Sequence, residues 1–274
     1  MTNKRLCILG AGNMGRALIG GLLRADWRPE QLSVAESQAA AREAVARDFG
    51  ISATGDNAAA VAGASIVVLA VKPQDAAAVL QPLAAALAAV PPLLISVAAG
   101  VRIAALESWC GAGVPVMRAM PNRPARVGAG ATGLYAPPVV GHEQRVAAER
   151  VLQAVGDVFW VPAEELLDVV TALSGSGPAY FFLLAELMAE AGAELGLESA
   201  MAQRLAAATL YGSGLLARTD DGGLARLRQE VTSVGGTTEA ALRTFEAAHL
   251  RATVRAALAA ATQRGRELAL QTVP

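Results

Sequence analysis

The sequence predicts an α/β N-terminal domain followed by an all-α C-terminal domain, and three observations predict it. Over residues 1–162, short β-branched runs alternate with helical patterns. From residue 163 to 274 the strand-like runs stop, and Ala/Leu/Glu/Arg-rich segments broken by glycines take over. Between the first apolar run and the first helical pattern stands a glycine-rich hexapeptide, GAGNMG, at residues 10–15. A chain of 274 residues accommodates two ordinary domains, and a hydrophobic content of 54% is enough for a sizeable core.

Taken in order, six runs read as strands: RLCIL (5–9), QLSVAE (31–36), SIVVLAV (65–71), LLISVA (93–98), VPVMRAM (114–120) and TGLYA (132–136). Strands that alternate with helices argue for a parallel sheet with right-handed crossovers. The dipeptide Val161–Pro162 is the expected domain limit. Beyond it, helices are expected over 178–195, 199–217, 221–231, 238–249 and 250–270. The first two carry Phe, Leu and Ala around most of their circumference, so a second copy of the chain is expected to cover them, giving a homodimer or a higher assembly of dimers.

Composition excludes several classes of partner. The net charge is −1 with no basic block, which argues against nucleic acid and an anionic membrane surface. Residues 76–101 carry no charge, but Pro82, Pro91 and Pro92 cut them into pieces too short to cross a bilayer. The apolar run Leu6–Leu9 is short and ends in glycine, unlike a secretion signal. Cys7 reads as core and, with Cys110, makes no disulfide framework. A reducing, cytoplasmic setting is expected, and no metal site.

The glycine loop follows a strand and opens a helix, so Gly10, Gly12 and Gly15 have the G-x-G-x-x-G spacing in its dinucleotide-binding (Rossmann) context. Gly10 permits the tight turn, Gly12 the approach of a pyrophosphate, and Gly15 the close packing of helix on strand. Glu36 ends the next strand, 21 residues after Gly15. It suits a ribose 2′-hydroxyl and would repel a 2′-phosphate, a repulsion that Ser37 and Arg42 would soften. A solvated strand-end carboxylate is the alternative.

Candidate proton-transfer groups are scarce. The chain has two histidines, His142 and His249, and two lysines, Lys4 and Lys72. His142 opens a surface helix, His249 sits at a helix seam, Lys4 precedes the first strand, and the helical domain has no lysine. Lys72, in VLAVKPQ, stands at the C-terminal end of a buried strand, where open α/β sheets bind ligands. So small a set of bases favours reduction of a C=N bond, because a protonated imine already draws hydride.

These motifs together resemble the pyrroline-5-carboxylate reductase family. The matching pieces are GAGNMG (10–15), AVKPQ (70–74), SVAAG (96–100), MPNRPA (120–125), LSGSGPAYFF (173–182) and VTSVGGTTEAAL (231–242). The resemblance implies a Rossmann domain, a helical domain that interlocks with a second subunit, and hydride transfer from NADPH or NADH to the cyclic imine 1-pyrroline-5-carboxylate. It implies that Gly10, Ala11, Gly12, Asn13, Met14 and Gly15 line the dinucleotide. Asn57 would join them, with Ala70, Val71, Lys72 and Pro73, and with Val97, Ala98 and Ala99. It implies that Ser233, Gly235, Gly236, Thr237 and Thr238 hold the substrate. Three positions depart from the usual pattern: Val234 replaces a common proline, Arg123 a common threonine, and Glu36 is unexpected where NADPH is preferred.

The resemblance gives the glycine pair a purpose. Gly235 and Gly236 would let the backbone N–H groups of Gly236 and Thr237 converge on a carboxylate at a helix start, and the Thr238 hydroxyl would reach a ring nitrogen. A plain helix cap is the alternative. In LSGSGP, Ser176 and Pro178 read as a helix start, and the glycines suit close packing beside the cofactor. Glu186, Glu190 and Glu194 form a stripe at i, i+4 spacing, either solvated or facing arginines of a second subunit. Two other functions fit part of this pattern: a β-hydroxyacid dehydrogenase, which would need a lysine in the helical domain, and a redox sensor that binds the dinucleotide without turnover.

Overall fold

A computed structural model describes residues 5–271. Lys4 lies outside the described residues. The chain forms two packing units, one comprising the chain up to Ser176 together with the segment from Ala261, the other Gly177–Ala260.

The first unit is built on eight strands: β1 (Leu6–Leu9), β2 (Leu32–Ala35), β3 (Ala53–Thr54), β4 (Ile66–Leu69), β5 (Leu93–Ser96), β6 (Val116–Met120), β7 (Gly130–Tyr135) and β8 (Gly156–Trp160), in the order β3-β2-β1-β4-β5-β6-β7-β8. Its helices are α1 (Asn13–Arg24), α2 (Ala39–Phe49), α3 (Asn57–Val61), α4 (Ala76–Leu80), α5 (Ala84–Ala89), α6 (Ile103–Cys110), α7 (His142–Gln153) and α8 (Leu166–Val170). Every residue of β1, β4 and β5 is buried, as expected of strands covered on both faces. Alternation sorts their side chains. Leu6 and Ile8 join Leu18, Leu22 and Val151 on one face, and Cys7 and Leu9 join Leu80, Leu87 and Leu106 on the other. Burial pushes the Cys7 thiol up to about 12 and that of Cys110 up to about 11, consistent with inert core residues.

Two strands escaped the sequence reading. β3 has two residues, too few for a recognisable run, and β8 is a short edge strand opened by Gly156 and Asp157, with Phe159 and Trp160 exposed. The sheet is also mixed, not purely parallel: β7 runs antiparallel to β6. Between them lies only a short 3₁₀ turn, Arg123–Val127, which cannot make the crossover that a parallel pair needs.

The second unit contains α9 (Gly177–Glu194), α10 (Ser199–Thr219), α11 (Leu224–Glu230), α12 (Thr237–Ala247) and the start of α13 (Leu250–Gln271). Glu198 caps α10, its carboxylate accepting from the N–H groups of Ala200 and Met201 at 3.0 and 2.9 Å. His249 sits between α12 and α13 at φ +56°, at the expected seam. α9 starts directly after Ser176 with Pro178 in its first turn, as expected, but it does not start free of what precedes it. A continuous helical run extends over Leu166–Glu194, widening to a π turn at Thr171–Gly175, where the Ser176 N–H donates to the Thr171 carbonyl at 2.8 Å. This run is long and apolar enough to cross a membrane by length and composition alone.

The packing limit at Ser176 differs from the change in sequence pattern at residue 162, and two carboxylates account for it. Glu164 meets the Arg118 guanidinium at 2.8 Å and Asp168 meets that of Arg102 at 2.5 Å, tying residues 163–176 to the sheet.

Candidate active site

The order β2-β1-β4 means that the chain leaves β1 toward one side of the sheet and returns through β4 on the other, opening a crevice at the strands' C-terminal ends. The glycine loop lies there. Gly10 has φ +99°, and a Cβ on it would stand 2.7 Å from the Ala70 carbonyl oxygen. A Cβ on Gly15 would stand 2.0 Å from the Gly10 oxygen. A Cβ on Gly12 would meet nothing within 4 Å, so the second glycine faces open space. Gly12 also caps α1 without a side-chain hydrogen bond, and the first turn holds no acidic residue. Free N–H groups, the positive helix end and an open approach fit the pyrophosphate of a dinucleotide.

Glu36 follows β2 directly. Its Oε2 accepts the Ala11 N–H at 2.8 Å, and its Oε1 accepts the Gln38 N–H at 2.9 Å and the Ser37 hydroxyl at 3.2 Å. Burial works to raise this carboxyl, but the hydrogen bonds from Gln38, Ala11 and Ser37 together hold it below the usual carboxylate range. The Arg42 Nη1 donates to the carbonyls of Glu36 and Ser37 at 2.9 and 2.7 Å.

The other cofactor candidates of the sequence share this edge. Ala70 follows β4, its N–H donating to the Leu9 carbonyl at 2.7 Å, and Val97 follows β5, bonded to the Leu69 carbonyl at 3.0 Å. Asn57 opens α3, which Asp56 caps through the Ala58 and Ala59 N–H groups at 2.9 and 3.1 Å. Lys72 is exposed just beyond β4 and makes no ion pair among the described residues. Pro73, Gln74, Ala99 and Gly100 help line a cavity of about 570 Å³ that also borders Asp168 and Thr171.

Several supporting residues were invisible in the sequence. Arg118 and Asp168 are almost wholly buried, and Glu164 also accepts the Ile103 N–H at 2.9 Å, so the ion pairs secure the chain just after the Ala98–Ala99 loop. Asn122 reaches across, its amide donating to the Ser174 carbonyl at 3.0 Å and its oxygen accepting from Ala131 at 2.9 Å. Gly175 packs so close to Met120 that a Cβ would lie 2.7 Å from its methyl group. Only the three-dimensional pairing reveals these roles; MPN and LSGSG signal them merely as polar residues in apolar surroundings.

In the second unit, the turn between α11 and α12 carries the substrate candidates. Gly235 has φ +73°, a conformation that favours glycine, whereas Gly236 lies at φ −83° and caps α12. The Gly236 N–H donates to the Ser233 carbonyl at 3.0 Å, and the Gly235 N–H donates to the Glu239 carboxylate at 2.6 Å. This corrects the expectation that Gly236 offers a free N–H: that donor closes the turn. Among the described residues, the N–H groups of Thr237, Thr238 and Glu239 in the first turn of α12 have no partner, nor do those of Ser233 and Val234 in the turn before it. The Thr238 side chain is half-buried, Ser233 and Thr237 are exposed, and Val234 is 97% exposed.

Comparison with known proteins bears on both units. The family profile described as pyrroline-5-carboxylate reductase dimerisation matches residues 164–268, and the one described as coenzyme F420-dependent NADP oxidoreductase matches residues 5–100. The pyrroline-5-carboxylate reductase of Pseudomonas aeruginosa is 46% identical over 271 residues, covering 99% of each chain. The chain belongs to the pyrroline-5-carboxylate reductase family. The solved structure of the Coxiella burnetii reductase covers 97% of this chain and 99% of its own, with TM-score 0.94 and 38% identity. That of the Plasmodium falciparum reductase, with NADP bound, covers 98% and 99%, with TM-score 0.84 and 28% identity. The expected Rossmann domain and helical dimerisation domain therefore stand, as does an NAD(P)H-dependent oxidoreductase. The β-hydroxyacid dehydrogenase alternative gives way.

Proposed function

We propose that this protein reduces 1-pyrroline-5-carboxylate to L-proline, the last step of proline biosynthesis, with NADPH or NADH as hydride donor. The full-length identity to the Pseudomonas aeruginosa reductase carries the reading. The open Gly12 approach and the partnerless N–H groups of Thr237 and Thr238 support it from the side of binding. The domain division proposed is 1–162 for the dinucleotide and 163–274 for substrate and dimerisation.

The substrate pairs a carboxylate with a ring imine. The Thr237 and Thr238 N–H groups, at the positive end of α12, take the carboxylate and so fix the ring. The Thr238 hydroxyl can accept from the protonated ring nitrogen before hydride arrives and donate to it afterwards. A reduced nicotinamide, when bound, would supply hydride to the imine carbon so presented. The iminium loses its positive charge in this step, so no strong base is required, and water or the Thr238 hydroxyl provides any proton still needed. Lys72, at the end of β4, adds a positive charge beside the cofactor loops. Among the residues exposed within one chain are Phe181, Phe182 and Leu183 of α9, and a second copy covers this apolar helix better than lipid does, because the dimerisation match includes it. The protein works as a homodimer or an assembly of dimers in the cytoplasm, with neither nucleic acid nor membrane as partner.

The test is an absorbance assay at the nicotinamide band with 1-pyrroline-5-carboxylate. Turnover to proline is expected. Tight dinucleotide binding without turnover would favour a non-catalytic sensor.

A further inference from the structure

We propose that Glu36 makes this protein select NADH, whose adenosine ribose carries a free 2′-hydroxyl, over the 2′-phosphorylated NADPH. The inference rests on the reading that the glycine loop holds a nicotinamide dinucleotide. A carboxylate at the end of the second strand of this fold stands where the adenosine ribose lies.

What distinguishes Glu36 from an ordinary strand-end carboxylate is its tether. Three donors hold it: the N–H groups of Ala11 and Gln38 and the Ser37 hydroxyl. Ala11 stands between the first two glycines, so the carboxylate is locked to the phosphate-binding loop itself. To make room for a 2′-phosphate it would have to swing away and leave the Ala11 and Gln38 N–H groups without acceptors. Where it stands, it is ionised at neutral pH and faces a second anion. A ribose hydroxyl has the opposite fate. Each carboxylate oxygen accepts about two hydrogen bonds, and Oε2 has accepted one, from Ala11, so it can take a ribose O–H.

The surrounding charges do not cancel this preference. Arg42 stands beside Glu36, but its Nη1 is committed to the carbonyl oxygens of Glu36 and Ser37. Glu36 itself makes no salt bridge among the described residues, so its charge is not neutralised. Arg16, farther along α1, pairs with Asp48 at 2.5 Å.

Calorimetric titration of the full-length protein with NADH and NADPH tests the proposal, with 5′-AMP and adenosine 2′,5′-bisphosphate as fragments that isolate the ribose. NADH should bind at least about tenfold tighter than NADPH, and the fragments should keep that order. Glu36→Gln keeps an acceptor for the loop and removes the charge, so the ratio should narrow to about threefold or less, chiefly through tighter NADPH. A thermal melt of Glu36→Gln shows that it is folded. Equal or tighter binding of NADPH by the unaltered protein, with Arg42→Ala weakening NADPH alone, would overturn the proposal and make Arg42 the determinant. An unchanged ratio in Glu36→Gln would overturn it as well. If neither dinucleotide binds, the reading of the glycine loop fails first, and the selectivity fails with it.

Discussion

The two units of this chain solve the burial problem in opposite ways. In the sheet unit, the large apolar side chains of β1, β4, β5, α1 and α6 are sealed within the same chain. In the helix unit, α9 buries only Gly177 and Ala189, and α10 only Ala202, while Phe181, Phe182, Leu187, Met188 and Leu205 face outward. The first unit draws its stability from its own sequence. The second carries a core written for two chains, and a groove of about 650 Å³ between α9 and α10 is lined by Phe182, Leu210 and Tyr211 among others. The stability of one unit should therefore be independent of concentration, and that of the other should not.

That contrast can be broken most severely at Phe182, which is 59% exposed in the single chain. Phe182→Asp removes an aromatic from both halves of a symmetric interface and buries a charge there. With about 1.5–3 kcal/mol lost per aromatic before the charge is counted, the dimer dissociation constant should rise roughly a thousandfold or more. Sedimentation should show monomers, with activity gone. A stable, active monomer of the unaltered protein at micromolar concentration would mean that this face is not the dimer interface.

The matching change in the sheet unit is Ile8→Ala, at a side chain with no exposure. It should cost about 2–5 kcal/mol of folding stability, read as a lower urea midpoint that does not depend on protein concentration. A midpoint that moves with concentration would show that the sheet unit also depends on the partner copy.

Within the helix unit, Thr238→Ala sharpens the comparison by separating chemistry from assembly. It should lower kcat/KM about ten- to a thousandfold, the scale of one lost polar contact to a reacting group, with the dimer intact and dinucleotide affinity unchanged. Full activity in Thr238→Ala, with Lys72→Ala inactive yet still binding dinucleotide, would move the chemistry to Lys72.

The smallest effect is expected at Glu239. Its carboxylate accepts the Gly235 N–H at 2.6 Å and so places a negative charge beside the turn proposed for an anionic substrate. Glu239→Gln should lower KM for 1-pyrroline-5-carboxylate by up to about fivefold, and the difference should shrink as salt screens the charge. A higher KM would show that Glu239 supports the turn more than it repels the substrate.

Much was legible in the sequence because it rests on local chemistry. Alternation and helical periodicity separated the two halves, and the spacing of Gly10, Gly12 and Gly15 after a strand announced a phosphate-binding turn, since each glycine answers a constraint a few residues away. Pairing was not legible. Nothing in TGLYA says that its strand runs antiparallel to VMRAM, because direction depends on the length and path of the connection. Nor does EVTSVGGTTE reveal that the Gly236 N–H is committed to Ser233, so that the donors left in the first turn of α12 begin at Thr237.

The sequence by itself determined the fold class, the dinucleotide loop and the family, because periodicity and motif spacing are properties of neighbouring residues. Only the tertiary structure decided that Glu36 is locked to Ala11 across 25 residues of chain, and that Glu164 and Asp168 tie their segment to Arg118 and Arg102. Hydrogen bonds and ion pairs act over about 3 Å of space whatever the separation in sequence, so their partners exist only once the strands have paired.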